Sequence, residues 1–246
     1  MSDDLRELFA KARGVAATAR VTWVQKAIRH RIGASCEAAA LVETVDQPAG
    51  QPAAEPAGER WGLEALRGRL VELSARGAAA TLTAAIELVV EAQQASEPVG
   101  WVTLGSSSFY PPDVADSGVD LAALAVIRAH DATAAARAAE RLLRSGGFGL
   151  VVLDFGGGST VDVPIAHQGR LVTLAQTHDA AVVCITEKPG DAPSLGSLVS
   201  LRAEALRLYA PEDSDRGYHV TLRVLKDKRR GPGWMRTIRL RGPGGL

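Results

Sequence analysis

Short apolar runs alternate with helical patterns between residues 69 and 186, and this alternation limits the possible folds more than any other feature. Strands are predicted at 69–74, 99–104, 124–128, 149–154 and 180–186, and helices at 78–94, about 131–145 and 163–177. Strands that alternate with helices in this way form a parallel sheet with helices on both of its faces.

The C-terminal part has a different pattern, with sheet elements predicted at 200–208, 219–225 and 236–240. The turn-rich sequence RRGPG joins the last two elements, so they should pair mostly antiparallel and extend one edge of the sheet. The predicted fold class is therefore α/β, with a mainly parallel central sheet flanked by helices and antiparallel strands at the C-terminal edge.

The N-terminal part is set off by a segment without periodicity. Residues 47–60 are rich in Pro and Ala and are predicted to be a linker. Before them, residues 1–46 form an N-terminal helical segment, in which Leu5, Leu8 and Phe9 fall on one helix face. Residues 61–246 are predicted to form the core domain, which ends in a basic hairpin.

Composition and charge exclude several classes of protein. The formal net charge is zero, so the molecule as a whole has no attraction for a polyanion. The acidic start Met-Ser-Asp-Asp does not resemble a signal peptide, and no apolar run has the length of a membrane span. Neither the two cysteines nor the five histidines have metal-ligand spacing. We expect a cytoplasmic protein without membrane contact or a metal site, with Cys184 as a buried small hydrophobe.

The loop at residues 75–80 stands where a phosphate-binding loop belongs, between the first strand and the first helix of the core. Such a loop needs glycines whose N–H groups surround the phosphates, a Lys, and a Ser or Thr for magnesium. Here only Gly77 and Thr81 have suitable chemistry, and Arg76 is the one nearby cation. Alanines, including Ala79 and Ala80, replace the expected Gly-Lys pair. The loop is either a degenerate nucleotide site or an ordinary strand-to-helix turn.

Two carboxylates are predicted at the same edge of the sheet, at the ends of buried strands. Asp154 ends the strand at 149–154, where it would either hold magnesium through water or cap a neighbouring loop. Glu187 follows the strand at 180–186 and is either a remnant of a nucleotide sensor or a solvated residue.

The motifs GRLVEL, WVTL, GVD, VVLD, VVCITE and RVLKDK occur in this order between residues 68 and 228. This series resembles the core of RecA recombinases, over roughly residues 60–241. The resemblance implies a RecA-like fold.

The departures from the RecA pattern imply that catalysis is lost and that no nucleotide cofactor is needed. RecA-type recombinases have a Gly-Lys-Thr loop, a catalytic Glu after the second strand and a Gln that senses the γ-phosphate. This chain has alanines, Gly105 and Glu187 at the matching places. Its two loops that match DNA-binding loops are short, and only Lys188 supplies charge to the second.

One RecA-like feature is retained. Lys226 and Lys228 match the lysines that RecA extends across the subunit interface toward the nucleotide of a neighbour. Residues two apart on a strand point the same way. The alternative is a solvated strand face in a basic tail.

Among RecA relatives, this set of losses is similar to ImuA, an accessory protein of bacterial mutasomes. The resemblance implies three partners: RecA, an ImuB-like inactive homologue of Y-family polymerases, and an error-prone replicative polymerase. It implies a role in translesion synthesis during the SOS response to DNA damage. A protein of this kind could cap or block a RecA filament, with Leu5, Leu8 and Phe9 packed on the neighbouring subunit.

Two other functions remain open. One is a divergent ATPase that uses Arg76, Thr81 and Asp154. The other is a weak DNA-binding module, because eight Lys or Arg and one acid lie between residues 223 and 241. The nucleic-acid candidates are Lys188, Arg229, Arg230 and Arg236. The alternative for this tail is a hairpin whose cations discourage aggregation of the sheet edge.

Overall fold

The computed structural model describes residues 61–76, 79–105, 109–156, 161–208 and 217–241. The strands are β1 Arg69–Ala75, β2 Val99–Leu104, β3 Leu124–Ala129, β4 Leu150–Asp154, β5 Ala181–Glu187, β6 Leu201–Leu208, β7 Gly217–Asp227 and β8 Met235–Arg241. The helices are α1 Leu63–Leu66, α2 Thr81–Gln94, α3 Pro111–Asp116, α4 Ala132–Arg144 and α5 Ile165–Thr177, with a 3-10 turn at Leu121–Ala123.

All eight strands form one sheet in the order β3-β2-β4-β5-β1-β6-β7-β8. The first six strands in this order are parallel, while β7 and β8 add antiparallel strands at the C-terminal edge. The predicted fold class is therefore confirmed. The antiparallel part begins one strand later than the start of the C-terminal pattern, because β6 pairs in parallel with β1.

Strand alternation divides the apolar core between the two faces of the sheet. On one face, the side chains of Val71, Trp101 and Val183 pack with α2. On the other face, Leu153 and Val182 belong to the cluster that includes the buried sides of α4 and α5. Both clusters are dominated by aliphatic residues, as the low aromatic content requires.

The second face changes character where β1 and β6 lie side by side. Glu72 on β1 and Arg202 and Glu204 on β6 are buried there, although all three are charged. Hydrogen bonds link Glu72 and Arg202 to the segment between β5 and β6, residues 188–200. This segment contacts a polar face of the sheet, whereas the rest of the same face is apolar.

The predicted elements agree with the structure within a few residues, apart from the start of α2. The helix was predicted from residue 78 but begins at Thr81. The reason is that Ala79 forms an isolated antiparallel bridge with Leu206, which draws the loop toward β6. The helices α1 and α3 were not predicted, since each is shorter than two turns.

Several predictions concern residues outside the described part of the chain. These are the N-terminal helical segment with Leu5, Leu8 and Phe9, the linker at 47–60, and Gly77. Within the described residues, no helix has the length and apolarity to cross a membrane, and no group of three metal-binding side chains occurs. Cys184 is buried, and burial, with Glu72 as the second cause, raises the pKa of its thiol.

Candidate functional site

The carboxyl ends of β1, β4 and β5 bring the predicted nucleotide-site residues to one edge of the sheet. Ala75 lies opposite Glu187 on the neighbouring strand, and Asp154 lies opposite Ile185. Arg76, which follows β1, and Glu187 are both exposed. The topology therefore places Arg76, Asp154 and Glu187 on neighbouring strand ends, as expected for a site at this edge.

Ala79 and Ala80, the residues just before α2, are bonded to the neighbouring strand β6. The N–H of Ala80 donates a hydrogen bond to the carbonyl of Ala205 on β6 (3.0 Å). Ala79 is exposed and joins Leu206 in the isolated bridge. Thr81, the first residue of α2, is buried. Since Ala80 already donates to β6, its N–H does not serve as a phosphate ligand in this conformation.

Asp154 is buried and has the geometry of a loop cap. Its Oδ1 atom accepts a hydrogen bond from the N–H of Gly156 (3.1 Å). Its Oδ2 atom accepts a longer one from the hydroxyl of Thr103 on β2 (3.5 Å). These contacts stabilise the turn that leaves β4.

Lys188 is bound inside the chain. Its ammonium lies 2.5 Å from the Oε1 atom of Glu72 and also donates to the carbonyl of Pro193 (2.7 Å). Lys188 was considered for DNA binding, but these two contacts use the side chain to neutralise a buried acid. The proposed contact of Lys188 with DNA stays a prediction.

Glu72 is the residue of this region that sequence reasoning missed. Its side chain is fully buried, and it accepts hydrogen bonds from the Thr186 hydroxyl and the Leu195 N–H (2.8 Å each). The signal in the sequence is a single acid inside the strand RLVELSA. The residues two positions before and after it, Leu70 and Ser74, are apolar or small. A buried acid of this kind requires hydrogen-bond and charge partners.

The side chains of Lys226 and Lys228 point the same way, as predicted. Both contact the 188–200 segment of their own chain. The ammonium of Lys226 lies within hydrogen-bond distance of Ser194 Oγ (3.3 Å), and that of Lys228 donates to the carbonyl of Ser197 (2.6 Å). Burial, and then the charge of Lys228, lower the pKa of Lys226. Lys228 remains exposed.

The basic tail packs partly against the start of the core. Arg229 donates to the carbonyl of Arg67 (3.3 Å), and Arg236 donates to the carbonyl of Trp61 (2.8 Å). Arg229 and Arg230 are exposed, while Arg236 is half-buried. The tail cations thus combine a structural contact with surface charge.

Comparison with known proteins gives similarity to solved structures. No protein-family model matches the chain, and no curated protein matches it. A crystal structure of the RadB recombinase is similar to it, with a TM-score of 0.53 and 17% sequence identity. The similarity covers 70% of this chain and 87% of that chain. The described part of the chain therefore has a RecA-like fold.

Proposed function

We propose that this protein is a non-catalytic RecA-like regulator of the response to DNA damage, similar in role to ImuA. Its partners are RecA, or proteins of translesion synthesis, or both. The translesion-synthesis partners are an ImuB-like protein and an error-prone polymerase. In this role it caps or blocks RecA filaments without using a nucleotide of its own.

The state of the loop before α2 is the observation that carries this proposal. A triphosphate needs backbone donors and a cation at this place. Here the N–H of Ala80 is bonded to β6, and the sequence has no Lys between Lys26 and Lys188. Asp154 is engaged with Gly156 and Thr103. A RecA-like scaffold with these properties is suited to binding other macromolecules.

Nucleotide should leave the stability of the protein unchanged. A ligand present at about 100 times its Kd stabilises the native state by about 2.7 kcal/mol, which raises Tm by several degrees in a domain of this size. We expect no shift in Tm with millimolar ATP and magnesium, measured by differential scanning calorimetry. A rise of about 5 °C or more, lost in Thr81→Val, would instead support the divergent ATPase.

RecA binding should depend on the two lysines next to the 188–200 segment. We expect the protein to co-purify with RecA assembled on single-stranded DNA with ATP. The variant K226E/K228E should reduce the retained RecA by about tenfold or more, because charge reversal replaces attraction by repulsion at the interface.

The matched control for the lysines is R229E/R230E, which reverses two neighbouring exposed cations. Equal losses in both variants would point to general electrostatic attraction and contradict a specific lysine contact. Because Lys226 also binds Ser194, a thermal unfolding scan of each variant must show that the fold is retained. Wild-type protein that fails to retain RecA under any nucleotide condition would contradict RecA as a partner.

A further inference from the structure

A row of arginines lies on the exposed face of α4. Arg137, Arg141 and Arg144 are exposed and spaced four and three residues apart, which places them on one face of the helix. The buried residues of α4 are alanines, leucines and Glu140. The row is about 10 Å long, because seven residues of a helix rise by that distance.

A shallow cleft of about 330 Å³ runs between this row and the first turns of α5. Its lining residues, which we call the arginine groove, are all polar: Arg137, Glu140, Arg141, Arg144, His167 and Arg170. Four of these six residues are arginines. Within the described part of the chain, no ion pair engages Arg137, Arg141 or Arg144.

The one acid in the arginine groove is engaged with residues of α5. Glu140 is buried, and its Oε1 atom lies 2.5 Å from Nδ1 of His167 and 3.6 Å from a guanidinium nitrogen of Arg170. The carboxylate is therefore engaged with α5, and it forms no ion pair with Arg137, Arg141 or Arg144 in the described part of the chain. A favourable helix dipole accounts for cations in the last turn of α4, such as Arg141 and Arg144, but not for Arg137 one turn earlier.

The chemistry of the lining distinguishes between two kinds of anionic partner. A protein partner needs a desolvated apolar centre for its anchoring side chains, and the lining residues of the groove supply none. A nucleic-acid strand can be held through its phosphates alone, by guanidinium groups that donate pairs of hydrogen bonds. The lining has no Phe, Tyr or Trp for stacking bases, and the ring of His167 is buried against Glu140, so the contacts expected are with the backbone.

We propose that the arginine groove binds the phosphodiester backbone of a nucleic-acid strand without sequence preference. Helix α4, which carries the arginine row, packs on β2, β3 and β4 at one end of the sheet. The basic tail lies at the other end, with β7 and β8. The groove is therefore a second basic surface, distinct from the tail. The inference does not depend on the proposed function, since it concerns neither RecA nor the strand-end site.

The test is fluorescence anisotropy of the full chain with a labelled oligo-dT strand, titrated with salt. The variant R137A/R141A/R144A should lose about 10- to 100-fold in affinity at low salt. The slope of log K against log salt should become shallower by about 2, as expected when three phosphate contacts to a single strand are removed. Alanine favours helix, so α4 should remain folded, which a thermal scan checks.

Two variants and one competitor make the outcome decisive. The conservative R137K/R141K/R144K should keep most of the binding, because it keeps the charge. R229A/R230A removes two cations of the tail and measures how much of the binding the tail supplies. Loss of binding in the tail variant but not in R137A/R141A/R144A would overturn the proposal in favour of the tail. A polyglutamate peptide of equal charge that binds as tightly as oligo-dT would overturn it in favour of an acidic protein partner, and wild-type protein without oligo-dT affinity would also overturn it.

Discussion

Replacing Glu72 by leucine should lower the free energy of unfolding by about 3–5 kcal/mol. The change leaves the ammonium of Lys188 without its buried counter-ion and leaves the Leu195 N–H without an acceptor. Removing one partner of a buried, hydrogen-bonded charge costs more than losing a surface ion pair, because the remaining charge is left without compensation. Urea denaturation followed by circular dichroism measures the effect.

A second measurement identifies the segment that Glu72 stabilises. Hydrogen exchange at the Leu195 amide should become faster in E72L, since that N–H donates directly to the missing carboxylate. The matched control is Glu187→Gln at the exposed end of β5, which should change the free energy of unfolding by less than about 0.5 kcal/mol. A loss below about 1 kcal/mol in E72L would contradict the role assigned to this residue.

Replacing Arg69 by methionine should also cost about 3–5 kcal/mol of folding free energy. Arg69 at the start of β1 and Asp227 at the end of β7 form a fully buried ion pair, with 2.5 Å between nitrogen and oxygen. Arg69 also donates to the hydroxyl of Ser200 (2.9 Å), so the pair holds the end of the 188–200 segment. Arg76→Met, which removes an exposed cation just beyond the same strand, serves as the control and should change stability by less than about 0.5 kcal/mol.

The loss of stability at acid pH provides a check on the ion pair between Arg69 and Asp227. Burial of the Asp227 carboxyl raises its pKa, but the N–H of Arg229 and the Arg69 guanidinium outweigh burial, and the net pKa lies below its ordinary value. Burial lowers the pKa of Arg69, yet a guanidinium remains charged throughout this range. A carboxylate with a lowered pKa in the folded state stabilises the protein above about pH 4, and this contribution is lost as the pH falls further. In Asp227→Asn this part of the pH dependence of stability should disappear. An unchanged loss of stability at acid pH would contradict the role assigned to Asp227.

The fold could be predicted to the level of strands and their alternation with helices because the buried strands are continuous apolar runs. The runs VGWVTL and AVVCIT have no competing interpretation as exposed segments. The start of α2 was missed because alanine favours helix from residue 78 onward, while the bridge between Ala79 and Leu206 is a contact between distant parts of the chain.

The candidate site was harder to predict, because its contacts also join distant parts of the chain. The absence of a Lys in the loop before α2 can be seen in the sequence alone. The contacts of Glu72 with Lys188 and of Lys228 with Ser197 cannot be seen in the sequence. Each joins residues that only the folded sheet brings together. The contact between Glu140 on α4 and His167 on α5 likewise required the packing of the two helices.

The bonds to residues 188–200 come from three strands of the sheet. Glu72 on β1, Arg202 on β6, and Lys226 and Lys228 at the end of β7 all contact this one stretch. Local opening of a stretch held by several strands is costly, because it breaks all of these bonds together. The peptide bonds of this segment should therefore resist cleavage by a protease until the sheet itself unfolds.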